Sequence, residues 1–510
     1  MTRREETGTP RVLREELEGA RVTIMGLGLH GGGAAAARFC AERGARVTVT
    51  DLQTESALAS SLEGLADLPD IRYVLGRHRE EDFREADMVI KNPAVPRTVP
   101  YLAMARRIET DISLFLAASP LPLIAVTGTK GKSSTASAIH YGLQQRGLIS
   151  YLGGNITISP LSFLEEIAGT EPAPSEPGSS EPGSSERLRP EPSGAVAVLE
   201  ISSFQLGDLL MTPHPERLRP RVAVITNIFE DHQDYYGSME AYVADKSVIY
   251  RFQTEEDVLI YHQDDAYGPG FGTEAPSRGL AVSAAPLPAE LPGAYLLDAD
   301  PSAAVGALVR EEAGGAPRPL LPAKTALPGR HNRMNLSIAA LALTALGVAP
   351  EDAGAAVADF PGIPHRLEEV GSIDGVRFVN DSAATIPDAA REAVEAFREP
   401  VFLIAGGSDK NGSFESFREI LPKTRRCYLL EGSGSRRILD TLSGDVVAGT
   451  FSSLRQAVER AFADARREAA DTAAVVLLSP GAASFGMFRN EFDRGRQFAE
   501  LAREIMARSR

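Results

Sequence analysis

The sequence predicts an α/β protein built from three domains, each around a parallel sheet. Three observations lead there. Residues 21–51 read strand, glycine turn, helix, strand. Residues 121–134 take an apolar strand into a Gly/Lys turn, and a helical pattern follows from about Ser133. Short apolar runs at 195–199, 222–226, 376–379, 401–405 and 475–478 each end in a cluster of polar residues, where parallel strands of α/β proteins place their ligand sites. At 510 residues the chain is too long for one typical domain, and 43% hydrophobic with 24% charged residues is an ordinary globular composition. The domains are expected at 1–117, 118–361 and 362–510. The first and third read as Rossmann-like, and the central one as a P-loop-ATPase-like sheet.

A net charge of −16 argues against nonspecific nucleic-acid binding, though glycine loops and helix ends still bind anionic nucleotides locally. Cys40 and Cys427 fall in an apparent helix and strand, so a reduced cytosolic protein without a disulfide framework is expected. The polar start MTRREETGTP has no apolar core, and no run approaches about 18 apolar residues. Neither a signal peptide nor a membrane span is expected.

In the first domain, 21–25 is a strand and Gly26-Leu-Gly-Leu-His-Gly31 a GxGxxG turn. Residues 34–43 follow as a helix, then 47–50 as a second strand ending at Asp51. This is the dinucleotide fingerprint. Alone it indicates a Rossmann-like unit better than a ligand, and leaves both a nicotinamide nucleotide and a turn without ligand open. The strand at 87–91 leads into Asn92-Pro-Ala-Val-Pro96, and Asp111 opens a helix toward the central domain.

The central domain begins with LPLIAVTGTKGKSS. Gly128 and Gly131 let the backbone approach an anion without a Cβ in the way. The following helix points free N–H groups and its positive dipole end at that anion. Lys132 supplies charge for outer phosphates, and Ser133 or Ser134 a hydroxyl for Mg²⁺. The spacing is shorter than the common P-loop, because Val126 stands where that pattern has its first glycine. A Gly/Lys turn alone is more often an ordinary loop; between a buried strand and a helix it reads as an ATP site.

Residues 195–199 end in Glu200-Ile-Ser-Ser-Phe-Gln-Leu206, and 222–226 in Asn227-Ile-Phe-Glu-Asp-His-Gln-Asp234. Three strands thus bring GKSS, Glu200 and His232 to one edge, as a nucleotide–metal site requires. A Glu at a strand end is usually a solvated acid, and an imidazole is a minority ligand for Mg²⁺. Residues 170–194, rich in Pro, Ser and Glu, cannot offset their ordering entropy and should be a flexible insert. Residues 241–250 read as an amphipathic helix in which Lys246 would ordinarily be solvated. Residues 255–325 suggest no site.

GTKGKSS, EISSFQL, the NxxEDHxD segment, the AxxKxxIY pattern around Lys246 and PHRLE at 364–368 together resemble the Mur ligase family, over nearly the whole chain. The resemblance implies that the first domain holds UDP, through Leu29, His30, Asp51 and Leu52. Asn92 would lie along the sugar and phosphates, and Asn155, in a Tyr151-Leu-Gly-Gly-Asn155 turn, would contact the muramoyl part with His232. ATP would be bound by Gly128, Thr129, Lys130, Gly131, Lys132, Ser133 and Ser134, with His331, Asn332 and Asn335 around it and Arg366 and Asp381 completing the contacts. Two Mg²⁺ sites are implied, one on Ser133 and Glu200, the other on His232 and a Lys246 carbamylated by CO₂. That modification needs a neutral amine, which burial provides. Lys132, Glu200, His232 and Lys246 form the implied catalytic set. Thr385, Lys410, Ser484 and Phe485 would bind the incoming amino acid, and Phe488 and Arg494-Gly495 continue the family pattern.

The implied chemistry is ATP-dependent addition of D-glutamate to UDP-N-acetylmuramoyl-L-alanine through an acyl phosphate, by a cytoplasmic monomer with no nucleic-acid or membrane partner. Family members usually carry Ser-Pro-Gly where Asn92-Pro-Ala94 stands, and Arg or His where Tyr235 stands. Most members that add D-glutamate carry Lys where Ala383 stands and Asn where Ile386 stands. Ala383 keeps L-glutamate or another acidic amino acid open as acceptor. A folylpolyglutamate-type ligase fits EISSFQL and LLSPGAAS poorly. A redox enzyme leaves the Gly/Lys loop unexplained, and a non-catalytic sensor would have lost one of the four catalytic residues.

Overall fold

The computed structural model describes residues 15–28, 31–155, 158–169, 195–297, 304–327, 329–385, 387–408, 416–420, 423–441, 446–469, 473–484 and 486–508. Leu29, His30, Ile386, Lys410, Phe485 and the 170–194 insert lie outside the described residues. The chain divides into two compact units, residues 1–360 and 361–510.

The first unit holds two sheets. In one, β1 (Arg21–Met25), β2 (Arg46–Asp51), β3 (Arg72–Leu75), β4 (Met88–Lys91) and β5 (Ile108–Glu109) run parallel in the order β3-β2-β1-β4-β5. The order reverses between β1 and β4, so the carboxyl ends of these two strands flank a crevice. Gly33 closes it: a Cβ there would lie 2.4 Å from Leu27 O, so only glycine lets the helix Gly32–Ala41 pack this close to the turn. Asp111 opens the helix Asp111–Ala118 under a reciprocal Thr110–Ser113 capping box.

The second sheet of this unit comprises β6 (Leu123–Thr127), β7 (Ile149–Gly154), β8 (Ala195–Glu200), β9 (Val222–Ile225), β10 (Val258–His262), β11 (Arg278–Ser283), β12 (Gly293–Leu296), β13 (Val305–Arg310) and β14 (Arg318–Pro322). Their order is β14-β13-β12-β11-β10-β9-β6-β8-β7, parallel from β7 to β12 and antiparallel beyond. Every residue of β6 and β8 is buried, as strands covered on both faces require. In the second unit, β15 (Glu368–Ile373), β16 (Val376–Asn380), β17 (Val401–Gly406), β18 (Thr424–Leu430), β19 (Val447–Phe451) and β20 (Ala474–Leu478) run in the order β15-β16-β20-β17-β18-β19, with only β15 antiparallel. This is the α/β architecture of three mainly parallel sheets.

Two local expectations are corrected. Residues 151–154 are strand, not turn: a Cβ on Gly154 would lie 2.1 Å from Glu200 O, so the glycine marks a close strand approach. The helix expected at 241–250 runs Met239–Ser247, capped by Ser238, and ends in a 3₁₀ turn at Val248–Tyr250. Residues 255–325, passed over in the sequence, supply β10–β14. Cys40 and Cys427 are buried free thiols, and burial pushes each pKa up to about 12. No described helix is long and apolar enough to cross a membrane.

Charge also ties β4 to the helix Ser203–Leu209. Lys91 pairs with Asp208, both side chains being 1% exposed, and Arg97 pairs with Asp245 on the Lys246 helix. Removing one member of a buried pair strands the other charge, at a cost of about 3 kcal/mol or more. Asp208→Asn is therefore expected to lower the urea unfolding midpoint clearly, and Lys91→Met/Asp208→Leu to recover most of the loss. An unchanged midpoint in Asp208→Asn would show that the pair does not hold β4 to this helix.

Candidate functional site

Three adjacent strands, β9, β6 and β8, point their carboxyl ends the same way. The chain leaving β6 is tied to the chain leaving β9. Thr226 Oγ1 donates to Lys130 O (2.6 Å), and Asn227 Nδ2 donates to the same carbonyl (2.9 Å). Lys130 N–H donates to Asn227 Oδ1 (2.8 Å), and Thr129 N–H to Asn227 O (2.8 Å). Gly128 (φ 140°) and Gly131 (φ 82°) make the bends, and a Cβ on Gly128 would lie 2.0 Å from Thr226 Oγ1. The helix Lys132–Gln145 then starts at Gly131 without a side-chain cap, so its positive dipole end faces the loop. Lys132 Nζ donates to Thr129 O (2.7 Å), which curls the ammonium over the loop. Asn335, on the helix Arg330–Ala345, approaches Gly131 closely: a Cβ there would lie 2.7 Å from its Oδ1. His331 and Asn332 sit in the first turn of that helix.

Beneath the loop lies Lys246, 1% exposed, whose Nζ donates to Gly128 O (2.7 Å) and stands 4.7 Å over the Tyr242 ring. Burial pushes its pKa well below the usual lysine value, and Lys132 pushes the same way, so its neutral form is favoured. Thr129 Oγ1 shares a hydrogen bond with Tyr242 OH (3.1 Å) and accepts from Phe229 N–H (3.0 Å). His232 takes a left-handed conformation (φ 53°), and its half-exposed ring packs 5.0 Å from Phe204. Tyr235, where the family usually has Arg or His, stacks edge-on against Phe204 and accepts from Arg97 (3.4 Å).

Glu200 ends β8 beside Val126, two residues before Gly128. Its Oε1 accepts from Asn155 Nδ2 (2.8 Å); its Oε2 is buried and has no hydrogen-bond partner among the described residues. An orphaned carboxylate oxygen beside a phosphate-type loop suits an oxygen-coordinated divalent cation, to which the Ser133 hydroxyl would add a ligand. Among the described residues, no three His, Cys, Asp or Glu side chains form a preassembled metal cluster. The Asp231 carboxylate stands 3.5 Å from His232 Nε2.

At the N-terminal crevice, Gly26, Gly32, Gly33, Lys91, Asn92 and Asp111 line a small cleft. Asp51 faces the glycine turn: Leu27 and Gly28 N–H donate to its Oδ2 (2.9 and 3.2 Å) and Gln53 N–H to its Oδ1 (2.8 Å). It shapes the turn whatever ligand it meets. Leu52 is exposed, and Asn92 Oδ1 accepts from Ala94 N–H (3.0 Å).

In the second unit, β16, β20 and β17 bring Asp381, Thr385, Ser408 and Ser484 to one edge. Asp381 accepts from Ser479 Oγ (2.6 Å) and Leu367 N–H (3.1 Å), and burial raises its pKa to about 7. Arg366 stands between two residues of left-handed conformation, His365 and Leu367. Ser484 Oγ is buried and unpartnered. The site list read from sequence lacked Arg494, which lies under these loops; the Arg-Gly pair was its only signal.

Residues 20–113 match the MurD-like N-terminal domain of Mur ligases, 126–343 the Mur ligase middle domain, and 365–481 the Mur ligase glutamate ligase domain. The UDP-N-acetylmuramoylalanine–D-glutamate ligase of Treponema pallidum (strain Nichols) is 38% identical over 96% of this chain and 99% of its own. The one from Roseiflexus sp. (strain RS-1) is 38% identical, over 95% and 99%. Among solved structures, the UDP-N-acetylmuramate–alanine ligase MurC of Thermotoga maritima shares the fold, with a TM-score of 0.54 at 18% identity over 95% of this chain and 99% of that one.

Asn227→Ala removes both side-chain bonds to Lys130 without touching the anion's own ligands. A loss of about tenfold in ATP affinity is expected by calorimetry, with little change in the unfolding midpoint. Undiminished affinity would mean that the β9 tie does not shape the loop.

Proposed function

The chain belongs to the Mur ligase family, and from that premise we propose that it joins D-glutamate to UDP-N-acetylmuramoyl-L-alanine at the expense of ATP, in peptidoglycan precursor synthesis. The observation that carries this reading is the likeness, along nearly the whole chain, to D-glutamate ligases of this family. We assign UDP binding to residues 1–117, ATP binding to 118–361 and amino-acid binding to 362–510, in a monomer acting in the cytoplasm. Leu29, His30, Asp51, Leu52, Asn92 and Asn155 take the uridine-nucleotide substrate. Thr385, Lys410, Ser484 and Phe485 take D-glutamate.

The loop 128–134 and the Lys132 ammonium hold the ATP phosphates, through N–H groups other than those of Thr129 and Lys130, which bond Asn227, and the helix dipole adds to their field. Ser133 and Glu200 would hold one Mg²⁺, and His232 with carbamylated Lys246 a second. When bound, the cations would neutralise the charge of the phosphates and of the uridine-nucleotide substrate's carboxylate. Lys246 is suited to carbamylation because its amine is buried and burial pushes its pKa well below the usual lysine value: the neutral nitrogen attacks CO₂, loses a proton and becomes an anionic carboxylate. The substrate carboxylate displaces ADP from the γ-phosphorus to give an acyl phosphate. The amine of D-glutamate then attacks the acyl carbon, and phosphate leaves. The protein's part is positioning and exclusion of water, since water would hydrolyse the activated acyl group.

Phosphate release from ATP and UDP-N-acetylmuramoyl-L-alanine is expected with D-glutamate and not with L-glutamate or D-aspartate. Turnover with L-glutamate alone would move the acceptor choice and implicate Ala383. Lys132→Ala is expected to cost about a hundredfold or more in kcat/KM, and wild-type rates would overturn its role. Lys246→Ala should be nearly inactive and partly restored by a short added carboxylate such as acetate. Full activity without rescue would remove the carbamate.

A further inference from the structure

Arg494, in the helix Glu491–Arg508, heads the fully buried side chains by size. Its guanidinium bonds only neutral oxygens among the described residues. Nε donates to Ser382 Oγ (2.9 Å), Nη2 to Ser382 O (2.9 Å) and Nη1 to Ala482 O (3.2 Å). A buried cation without a bonded carboxylate is a costly choice for stability alone. Its fork spans two loops that leave neighbouring strands, 381–385 after β16 and 479–484 after β20. Further bonds tie each loop to its surroundings: Ser382 Oγ donates to Glu491 O (2.7 Å), Ala383 N–H to His365 O (2.9 Å), and Ala483 N–H to Ser408 O (3.0 Å). Two residues beyond Ala482, Ser484 turns in a buried hydroxyl that no group among the described residues satisfies. A buried, unpartnered hydroxyl marks a place for a ligand's polar atom.

We propose that Arg494 is a positioning residue for the amino-acid acceptor: it fixes the spacing of the loops carrying Thr385 and Ser484, and so aims the Ser484 hydroxyl at an acceptor carboxylate. The proposal rests on the reading of Thr385 and Ser484 as the D-glutamate site. Direct bonds also join the two loops, Gly481 N–H to Ala384 O (2.9 Å) and Ser479 Oγ to Asp381 Oδ2 (2.6 Å), and the guanidinium braces them from beneath. A planar fork can serve two carbonyls and a hydroxyl in one plane; a lysine ammonium in the same place reaches one loop and releases the other.

The test is steady-state kinetics of Arg494→Lys and Ser382→Ala beside the wild type, varying D-glutamate, ATP and the uridine-nucleotide substrate in turn. Arg494→Lys is expected to raise KM for D-glutamate about tenfold or more, with kcat and the other two KM values within about threefold. Ser382→Ala removes one acceptor and should shift the same constant by less. In a Ser484→Ala background the Arg494→Lys effect should shrink toward none, which general loosening of the fold would not produce. An unchanged KM for D-glutamate, or an equal rise in all three KM values, overturns the proposal. If Arg494→Lys does not fold, an unchanged KM in Ser382→Ala overturns it equally. Wild-type enzyme that turns over with another acid but not D-glutamate overturns the acceptor assignment first, and this proposal with it.

Discussion

Both hydrogen-bonding groups of the Lys130 peptide are claimed by the strand next door, and the arrangement of the central site depends on it. Thr226 and Asn227 hold its carbonyl, and Asn227 holds its N–H. The loop is therefore held against β9, with the positive end of the following helix behind it. Gly128 is forced by the same contact, since Thr226 Oγ1 occupies the space a Cβ would need. The carbonyl of Gly128 then turns inward, where it receives the Lys246 amine. One cross-strand tie thus sets the loop, the helix start and the buried lysine.

The molecule places costly groups where chemistry is expected. Lys246 has a single carbonyl for its amine, Glu200 keeps one oxygen unpartnered, and Arg494 is buried on neutral acceptors. Each would be better served energetically by an apolar neighbour or a full partner. By contrast, Lys91 with Asp208 and Arg97 with Asp245 are compensated pairs, and they lie between the N-terminal crevice and the two helices that follow Glu200 and carry Lys246. The paired charges hold elements together, and Arg494, though it bonds neutral oxygens, has Glu491 and Asp381 near enough to act on it.

Two glycines mark close approaches. Gly33 admits a helix against the first turn, and Gly154 admits β7 against Glu200. The second explains why Tyr151–Asn155 looked like a turn in the sequence: a Gly-Gly pair before Asn has the composition of a turn, and only the neighbouring strand shows that the space is needed there. Strands β10–β14 escaped notice for a related reason. Their short runs sit among Ala, Pro and Gly without a clear period, and their pairing partners are not local.

What the sequence determined by itself was local: the apolar strands, the glycine turns at 26–31 and 128–131, the helix after Gly131, and Glu200 at a strand end. These follow from spacing within a few residues, and strand and turn preferences act at that range. The tertiary structure decided which polar groups are satisfied. That Asp51 serves the glycine turn, that Lys246 is buried under Gly128 and that Glu200 Oε2 has no partner are all outcomes of packing between distant segments. Arg494 is the clearest case, for it bonds a residue 112 positions away. Burial and hydrogen-bond satisfaction are properties of a whole neighbourhood, and a linear sequence holds no record of which neighbours will meet.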